Sequence, residues 1–552
     1  MKEFSTLIGG RAGDGINSAG FLVAQLFNRM GYSVYSYFDY PSLIKGGHNF
    51  SLVRACEKKI GAHRSRCDFV LALNQDSVDL HPDMITGDTV VVYDSYKARY
   101  ENGVPVDIDT ILAEEKAPVV MGNSCIIGAF ACAAGIPWET LEEVFRRHIP
   151  KSLDLNLKVA RRGYDVAKPG TPVPRLPGKA VPLLTGNEAI GLGLIQGGMD
   201  AYVAYPMTPT SNVLHFLAGV QGEIGISVVH PENEIGVIMM ALGFAYAGKK
   251  TAVGTSGGGF CLMTEGFSLS GMSEVPVVVV LGQRTGPSTG LPTYTAQSEL
   301  FFALHAGQGE FPRLVVAPGD VEQAAELSAI AVQISWNCQV PAIILVDKTL
   351  CEGTYSYAED MVQVPRLSAP DEPAAEPYQR YALTASGVSP MRFPPVQGSM
   401  IKVNGYAHDD DGITTEDADL TIRMMEKRGR KGATLANEVG KLDAVRVFGN
   451  PDSPDVLLCW GSNKGVCSEV GGELGLRVVQ PLVLWPFPEE QFRNAIKGSS
   501  RIISVEDNST GQLAILLSRF GIGVDHQILR YDGRPFAVDE LSARVKEVVS
   551  HG

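Results

Sequence analysis

The chain has 552 residues, 45% of them hydrophobic and 20% charged, with a formal net charge of −14. That length allows about three or four domains, and the acidic balance disfavours nucleic acid, whose phosphates demand Lys/Arg patches. The longest apolar runs, such as 275–281, fall far short of the roughly 20 residues that span a bilayer.

The opening Met1-Lys2-Glu3-Phe4 has no charged-then-apolar signal pattern, so a cytoplasmic protein without a membrane contact is expected. A net negative chain also disfavours direct docking of an acidic redox protein, although a local basic patch overrides net charge. The nine cysteines are scattered and none forms C-x-x-C. Zinc ribbons and ferredoxin clusters need closely spaced thiolates, so no metal is expected on this chain. An odd cysteine count also argues against a disulfide framework.

In chain order, a strand at 4–9 leads into Gly9-Gly10-Arg11-Ala12-Gly13-Asp14-Gly15, then a helical pattern at 18–30 and a strand at 33–37. Free N–H groups and the dipole at such a helix start suit an anion, with Gly10 and Gly13 as candidate contacts. The run is not a strict G-x-G-x-x-G, so a nicotinamide cofactor is poorly supported. Gly13-Asp14-Gly15 lacks the paired Asn of a thiamine diphosphate-binding signature, because Lys45-Gly46-Gly47-His48-Asn49 follows instead. Lys45 and His48 suit a phosphate or carboxylate; a solvated turn fits the same residues. Strands at 69–73 and 89–93 and helices at 124–134 and 138–147 continue an α/β alternation. Five prolines within 168–182 mark a stiff extended linker.

Gly186 opens a further helix, after which four apolar runs each precede a polar or Gly-rich motif. The runs are 201–204, 226–229, 251–253 and 277–281. The motifs are Tyr205-Pro206-Met207-Thr208-Pro209-Thr210-Ser211, His230-Pro231-Glu232-Asn233-Glu234, Thr255-Ser256-Gly257-Gly258-Gly259 and Gln283-Arg284-Thr285-Gly286-Pro287-Ser288-Thr289-Gly290. Short apolar runs of this kind are buried parallel strands, and ligands bind at the carboxyl ends of strands in open α/β sheets. Four loops are therefore expected to converge on one crevice. From 365 to 395 prolines and acids dominate, which predicts an irregular connection. Asp409-Asp410-Asp411 reads as a solvated turn rather than a metal site. Residues 415–440 read as a charged helix interrupted at Gly429. Strands at 455–460 and 501–505 and a helix at 513–520, capped by Ser509 or Thr510, form a last α/β domain.

These motifs together resemble the alpha subunit of 2-oxoacid:ferredoxin oxidoreductases, in the form with a gamma domain fused in front. Tyr205-Pro206-Met207-Thr208-Pro209 matches a Y-P-I-T-P motif with Met for Ile, a volume-conserving swap. Glu232-Asn233-Glu234-Ile235, the arginine loop from Gln283 to Thr293, His305-Ala306-Gly307 with Gly309-Glu310-Phe311-Pro312, and Lys45-Gly46-Gly47-His48 are also family-like. Arg11-Ala12 depart from the family's front loop, which leaves its ligand open.

The resemblance implies three α/β domains: a gamma domain at 1–167, a thiamine diphosphate pyrimidine-binding domain at 183–360 and a transketolase C-terminal-like domain at 450–552. The Pro-rich linker at 168–182 and an irregular connection with a charged helix at 361–449 lie between them. It further implies a beta subunit that carries the diphosphate site, Mg²⁺ and a [4Fe–4S] cluster, in an (alpha–beta)2 assembly with ferredoxin docking on beta. The implied reaction is CoA-dependent oxidative decarboxylation of a 2-oxoacid, with 2-oxoglutarate first and pyruvate, branched-chain or aryl acids as alternatives. A nicotinamide dehydrogenase and a non-catalytic scaffold are the competing classes. Glu234, then Glu232, is the candidate for the carboxyl at the thiamine N1′, with Pro206 beside the cofactor. Thr208 and Arg284 are candidates for the substrate carboxylate and for catalysis, since an Arg fork matches a planar carboxylate; a structural salt bridge is the other reading of Arg284. His305 is a candidate for the substrate's far end, with a satisfied helix histidine as the other reading, and Gly10, Gly13, Lys45 and His48 are candidates for CoA or another anion.

Overall fold

A computed structural model describes residues 2–42, 47–358, 360, 362, 364–368, 376–397 and 400–550. Lys45, expected to face an anion, lies outside the described residues. In chain order the strands are β1 (Glu3–Arg11), β2 (Ser33–Asp39), β3 (His48–Cys56), β4 (Cys67–Ala72), β5 (Ile85–Asp94), β6 (Val104–Val106), β7 (Leu183–Thr185), β8 (Ala201–Ala204), β9 (Ser227–Val229), β10 (Thr251–Ser256), β11 (Val278–Gln283), β12 (Leu314–Val316), β13 (Ala342–Asp347), β14 (Thr354–Ser356), β15 (Val445–Gly449), β16 (Asp455–Leu458), β17 (Arg477–Pro481), β18 (Val483–Trp485), β19 (Arg501–Glu506) and β20 (His526–Leu529). They form three sheets in two compact units, as an α/β architecture requires.

The first unit comprises the described residues of Met1–Thr185, Glu352–Ala358 and Phe536–Gly552. Its sheet runs β6-β5-β4-β1-β3-β2-β14-β7. β4, β5 and β6 continue from β1 in parallel, but β3 lies antiparallel between β1 and β2. The sequence reading missed β3, whose first residues, His48 and Asn49, are polar. On the covering helices, a Cβ at Gly128 would fall 2.0 Å from the Ala160 carbonyl oxygen, and one at Gly163 2.0 Å from that of Cys125. Glycine therefore lets the helices Gly122–Ala133 and Leu153–Val166 touch backbone to backbone. The 168–182 stretch is irregular, as its prolines predict. It is tied down as a strap: Gly170 and Val173 N–H donate to the Ala133 and Ala134 carbonyls, and Leu176 N–H to that of Met30, each at 2.8 Å.

The second unit holds the other two sheets. One runs β18-β12-β13-β11-β10-β8-β9 and is parallel except for β18. The other runs β15-β17-β16-β19-β20. One apolar core joins them: Val279 and Leu345 belong to the same buried cluster as Trp460, Phe492 and Leu513. The helix Ala418–Gly440 continues unbroken through Gly429, contrary to expectation. Its tertiary contacts outweigh one glycine's cost of roughly 1 kcal/mol. Lys427 and Lys431 on it are buried around the Glu274 carboxylate, and the Arg380 guanidinium donates to the Glu274 carbonyl at 2.7 Å. Burial pushes the Glu274 carboxyl up, but Lys427, Lys431 and Arg380 outweigh it and hold the group well below the usual range. Neither Ser509 nor Thr510 caps the helix Gln512–Ser518. The Glu506 carboxylate accepts the Leu513 and Ala514 N–H groups of the helix's first turn at 2.8 and 3.2 Å, and Asn508 Oδ1 accepts those of Thr510, Gly511 and Gln512 at 3.1, 2.7 and 3.3 Å. Among the described residues no helix is long and apolar enough to cross a membrane.

Candidate functional site

β11, β10, β8 and β9 are successive parallel neighbours, so their carboxyl ends lie along one edge of the second unit's larger sheet. The four motifs leave from these ends. The third is not a loop: β10 runs through Thr255 and Ser256, and the helix Gly257–Ser273 begins at the next residue. Ser256 makes no side-chain cap, so the first-turn N–H groups stay available to a ligand.

Glu234 is the first residue of the helix Glu234–Tyr246, placed there by Asn233, whose side chain accepts the Gly236 N–H at 2.9 Å. The cap turns Glu234 inward to 6% exposure, while Glu232 stays exposed. Its carboxylate has no hydrogen-bond partner among the described residues. A Cβ built at Gly259 would meet Thr255 Oγ1 at 2.2 Å, Glu234 Oε1 at 2.7 Å and Met207 Sδ at 2.7 Å. Three motifs thus meet over one glycine. The Met207 sulfur lies 3.6 Å from Ser256 Oγ and 3.8 Å from Thr255 Oγ1.

The fourth motif joins through Arg284, whose Nη1 donates to the Thr208 carbonyl oxygen at 3.1 Å. Gly282 permits this, because a Cβ there would lie 2.7 Å from Thr210 Cγ2 and 2.8 Å from Pro209 Cδ. Arg284 forms no salt bridge among the described residues, and burial depresses its pKa against the pull of Glu299. A half-buried guanidinium with donors to spare suits an incoming carboxylate. Pro206 and Thr208 are half-buried beside it. Four motifs, one of them a strand end running into a helix, therefore lie together, with Thr208, Glu234 and Arg284 among their residues.

The sequence reading missed Glu299. Burial pushes its carboxyl up to about 7, against a hydrogen bond from Ser298 and the charge of Arg284. Gln283 Oε1 accepts the Glu299 N–H at 3.1 Å and ties it to the strand end that carries Arg284. An acid just before a short apolar helix was the available signal, but it reads as an ordinary helix start.

His305 is placed elsewhere in this unit. It is exposed at the end of the helix Leu300–His305, with Nδ1 2.9 Å from the Phe301 carbonyl. It lines grooves of about 620 and 1380 Å³ with Phe311, Met425 and Arg428, and neither groove includes Thr208, Glu234 or Arg284.

In the first unit, β1 and β3 pair so that Arg11 faces His48 and Gly10 faces Asn49. The front glycine loop is thereby joined to the residues after Gly46. Asp14 Oδ2 accepts the Arg11 N–H at 2.8 Å, so this acid closes its own turn. Gly13 sits at φ 102° with open space around it. The His48 and His81 rings meet Nε2 to Nε2 at 2.8 Å. Burial lowers the His48 pKa despite Asp76 and Asp39, and burial with the neighbouring His48 pushes His81 down to about 4.

Residues 192–427 match the family described as pyruvate flavodoxin/ferredoxin oxidoreductase, thiamine diP-bdg, and residues 5–166 match pyruvate ferredoxin/flavodoxin oxidoreductase. The chain is 28% identical to the 2-oxoacid:ferredoxin oxidoreductase subunit alpha of Sulfolobus sp, covering 100% of this chain and 98% of the relative. It is 27% identical to the 2-oxoglutarate oxidoreductase subunit KorA of Mycobacterium tuberculosis, covering 80% of this chain and 70% of the relative. A solved structure of 2-oxoglutarate:ferredoxin oxidoreductase from Magnetococcus marinus, with 2-oxoglutarate, coenzyme A and succinyl-CoA bound, superposes with a TM-score of 0.89. That structure is 30% identical, over 99% of both chains.

Proposed function

The chain belongs to the alpha subunits of 2-oxoacid:ferredoxin oxidoreductases, and on that premise we propose that it holds the aminopyrimidine half of thiamine diphosphate at Glu234 and a 2-oxoacid carboxylate at Arg284 and Thr208. The observation that carries this reading is Glu234, 6% exposed, whose carboxylate lies against Gly259 and has no hydrogen-bond partner among the described residues. A carboxyl so placed, with neither oxygen claimed by a described protein donor, is open to a hydrogen bond with a ring nitrogen.

Bound thiamine diphosphate supplies the nucleophilic carbon and the electron sink for decarboxylation. Glu234 would share a proton with N1′ of the aminopyrimidine and so favour the imino tautomer, whose 4′-nitrogen is the base. Arg284 orients the substrate carboxylate with the N–H groups that Thr208 does not use, and the Thr208 hydroxyl adds a donor. Pro206 and Met207 line the apolar side of the site, and Gly259 leaves room for the Glu234 carboxyl.

The substrate proposed is 2-oxoglutarate, supported by the names of the Magnetococcus and Mycobacterium relatives, with CoA as acyl acceptor. Gly10, Gly13 and His48 are proposed anion contacts of the gamma domain, 1–167. The diphosphate site, Mg²⁺ and a [4Fe–4S] cluster are assigned to a beta subunit, in an (alpha–beta)2 complex that reduces ferredoxin. The scattered cysteines, of which only Cys261 is exposed, support this division. The test is hydrogen–deuterium exchange at thiamine C2 in the reconstituted complex. Glu234→Gln keeps the volume and removes the acid, so exchange should slow by ~10² to 10⁴-fold. Glu232→Gln, at an exposed position, should exchange like wild type; fast exchange in Glu234→Gln would remove Glu234 from this role.

A further inference from the structure

Glu299 sits where the proposed carboxylate site needs an explanation. Its Oε1 lies 3.1 Å from Ser298 Oγ and the backbone N–H groups of Ser298 and Glu299 also hold the carboxyl, while Oε2 is buried without a partner among the described residues. A Cβ at Gly257 would lie 3.1 Å from Oε1, so the carboxyl rests against the first turn of the helix Gly257–Ser273. The groups facing it are Arg284 and Gln283 from the end of β11, Ser298 from its own loop and the backbone of Gly257. Arg284 is the charged one among the described residues. The two interact electrostatically, yet they form no ion pair. A buried acid beside an unpaired guanidinium leaves that guanidinium open to a second carboxylate.

We propose that Glu299 is a positioning residue for Arg284, and that it must take up one proton for a substrate carboxylate to bind there. A substrate carboxylate brought to Arg284 would enter the field of the nearby buried Glu299, and two like charges in one site raise the pKa of one of them. Solvent supplies the proton on binding and receives it back when the site empties, so no bond to carbon changes. The raised Glu299 pKa, about 7, places this exchange in the working range. The proposal rests on the assignment of Arg284 to the substrate carboxylate.

The experiment measures KM and kcat separately for 2-oxoglutarate from pH 6 to 9 in the reconstituted complex. In wild type, KM should rise on the order of tenfold per pH unit above neutrality, as for any one-proton linkage, while kcat stays nearly level. Glu299→Gln, permanently neutral, should lose that rise and bind at least ~10-fold better than wild type at pH 8.5. Glu299→Asp should restore the rise with a moved midpoint. A rise that persists in Glu299→Gln, or a uniform fall in kcat with no change in the pH dependence of KM, overturns the proposal. If Glu299→Gln does not assemble, an unmoved midpoint in Glu299→Asp overturns it. Arg284→Lys separates the two levels. An unchanged KM there removes the carboxylate assignment itself, whereas a raised KM with a persisting rise in Glu299→Gln removes only the role of Glu299.

Discussion

Gly259→Ala tests the convergence of the motifs with a single methyl group. The added carbon would fall 2.2 Å from Thr255 Oγ1 and 2.7 Å from both Glu234 Oε1 and Met207 Sδ. Non-bonded heavy atoms settle at about 3.5–4.0 Å, so the Glu234 carboxyl must retreat by about 1 Å. Misplacement on that scale costs ~10²-fold in rate. Overpacking costs ~1–3 kcal/mol of stability, and the helix preference of Ala over Gly returns about 1 kcal/mol. Stability should therefore fall by only ~0–2 kcal/mol while activity falls far more. Gly258→Ala is the stability control, because a Cβ there meets no heavy atom within 4 Å. The assays are urea unfolding of the chain, and kcat with thiamine C2 exchange in the complex. If Gly259→Ala retains wild-type exchange and kcat, Glu234 does not act from the place described.

Glu274→Gln leaves Lys427 and Lys431 buried without their carboxylate. Breaking a buried ion cluster this way should cost ~3–5 kcal/mol, read as a lower urea midpoint; an unmoved midpoint would show that the lysines relax to solvent. His81 is held neutral, with its pKa lowered from 6.5 to about 4. The unfolded chain therefore binds this proton first as pH falls, so the contribution of His81 is present above pH 6.5 and is lost on the way down through 4. The loss is about 3 kcal/mol in full. The stability drop from pH 7 to pH 4.5 should be smaller in His81→Gln than in wild type, and equal drops would contradict the buried neutral pair. The chain purified without a partner should contain no iron and should turn over no 2-oxoacid; iron at cluster stoichiometry would return the cluster to this subunit.

The sequence by itself determined the order of apolar runs and motifs. The runs at 201–204 and 277–281 are short and apolar on both faces, and such segments have few stable environments besides the middle of a parallel sheet. That pattern sufficed for the α/β class and for the alignment of the carboxyl ends of β8, β9, β10 and β11 along one sheet edge. It left Glu232 and Glu234 as rivals, because two acids two residues apart look alike until something is packed against them. The tertiary structure sets them apart: Glu234, behind the Asn233 cap and against Gly259, is buried, and Glu232 is exposed. β3 escaped notice because its polar start is stabilised by pairing with β1, a partner nearly forty residues away in sequence. Glu299 was silent for the same reason. Its ionisation depends on desolvation and on distance to Arg284, and the path of the chain between them sets both. Periodicity is a local property that residues within one element carry, whereas the protonation of a buried carboxyl depends on everything folded around it.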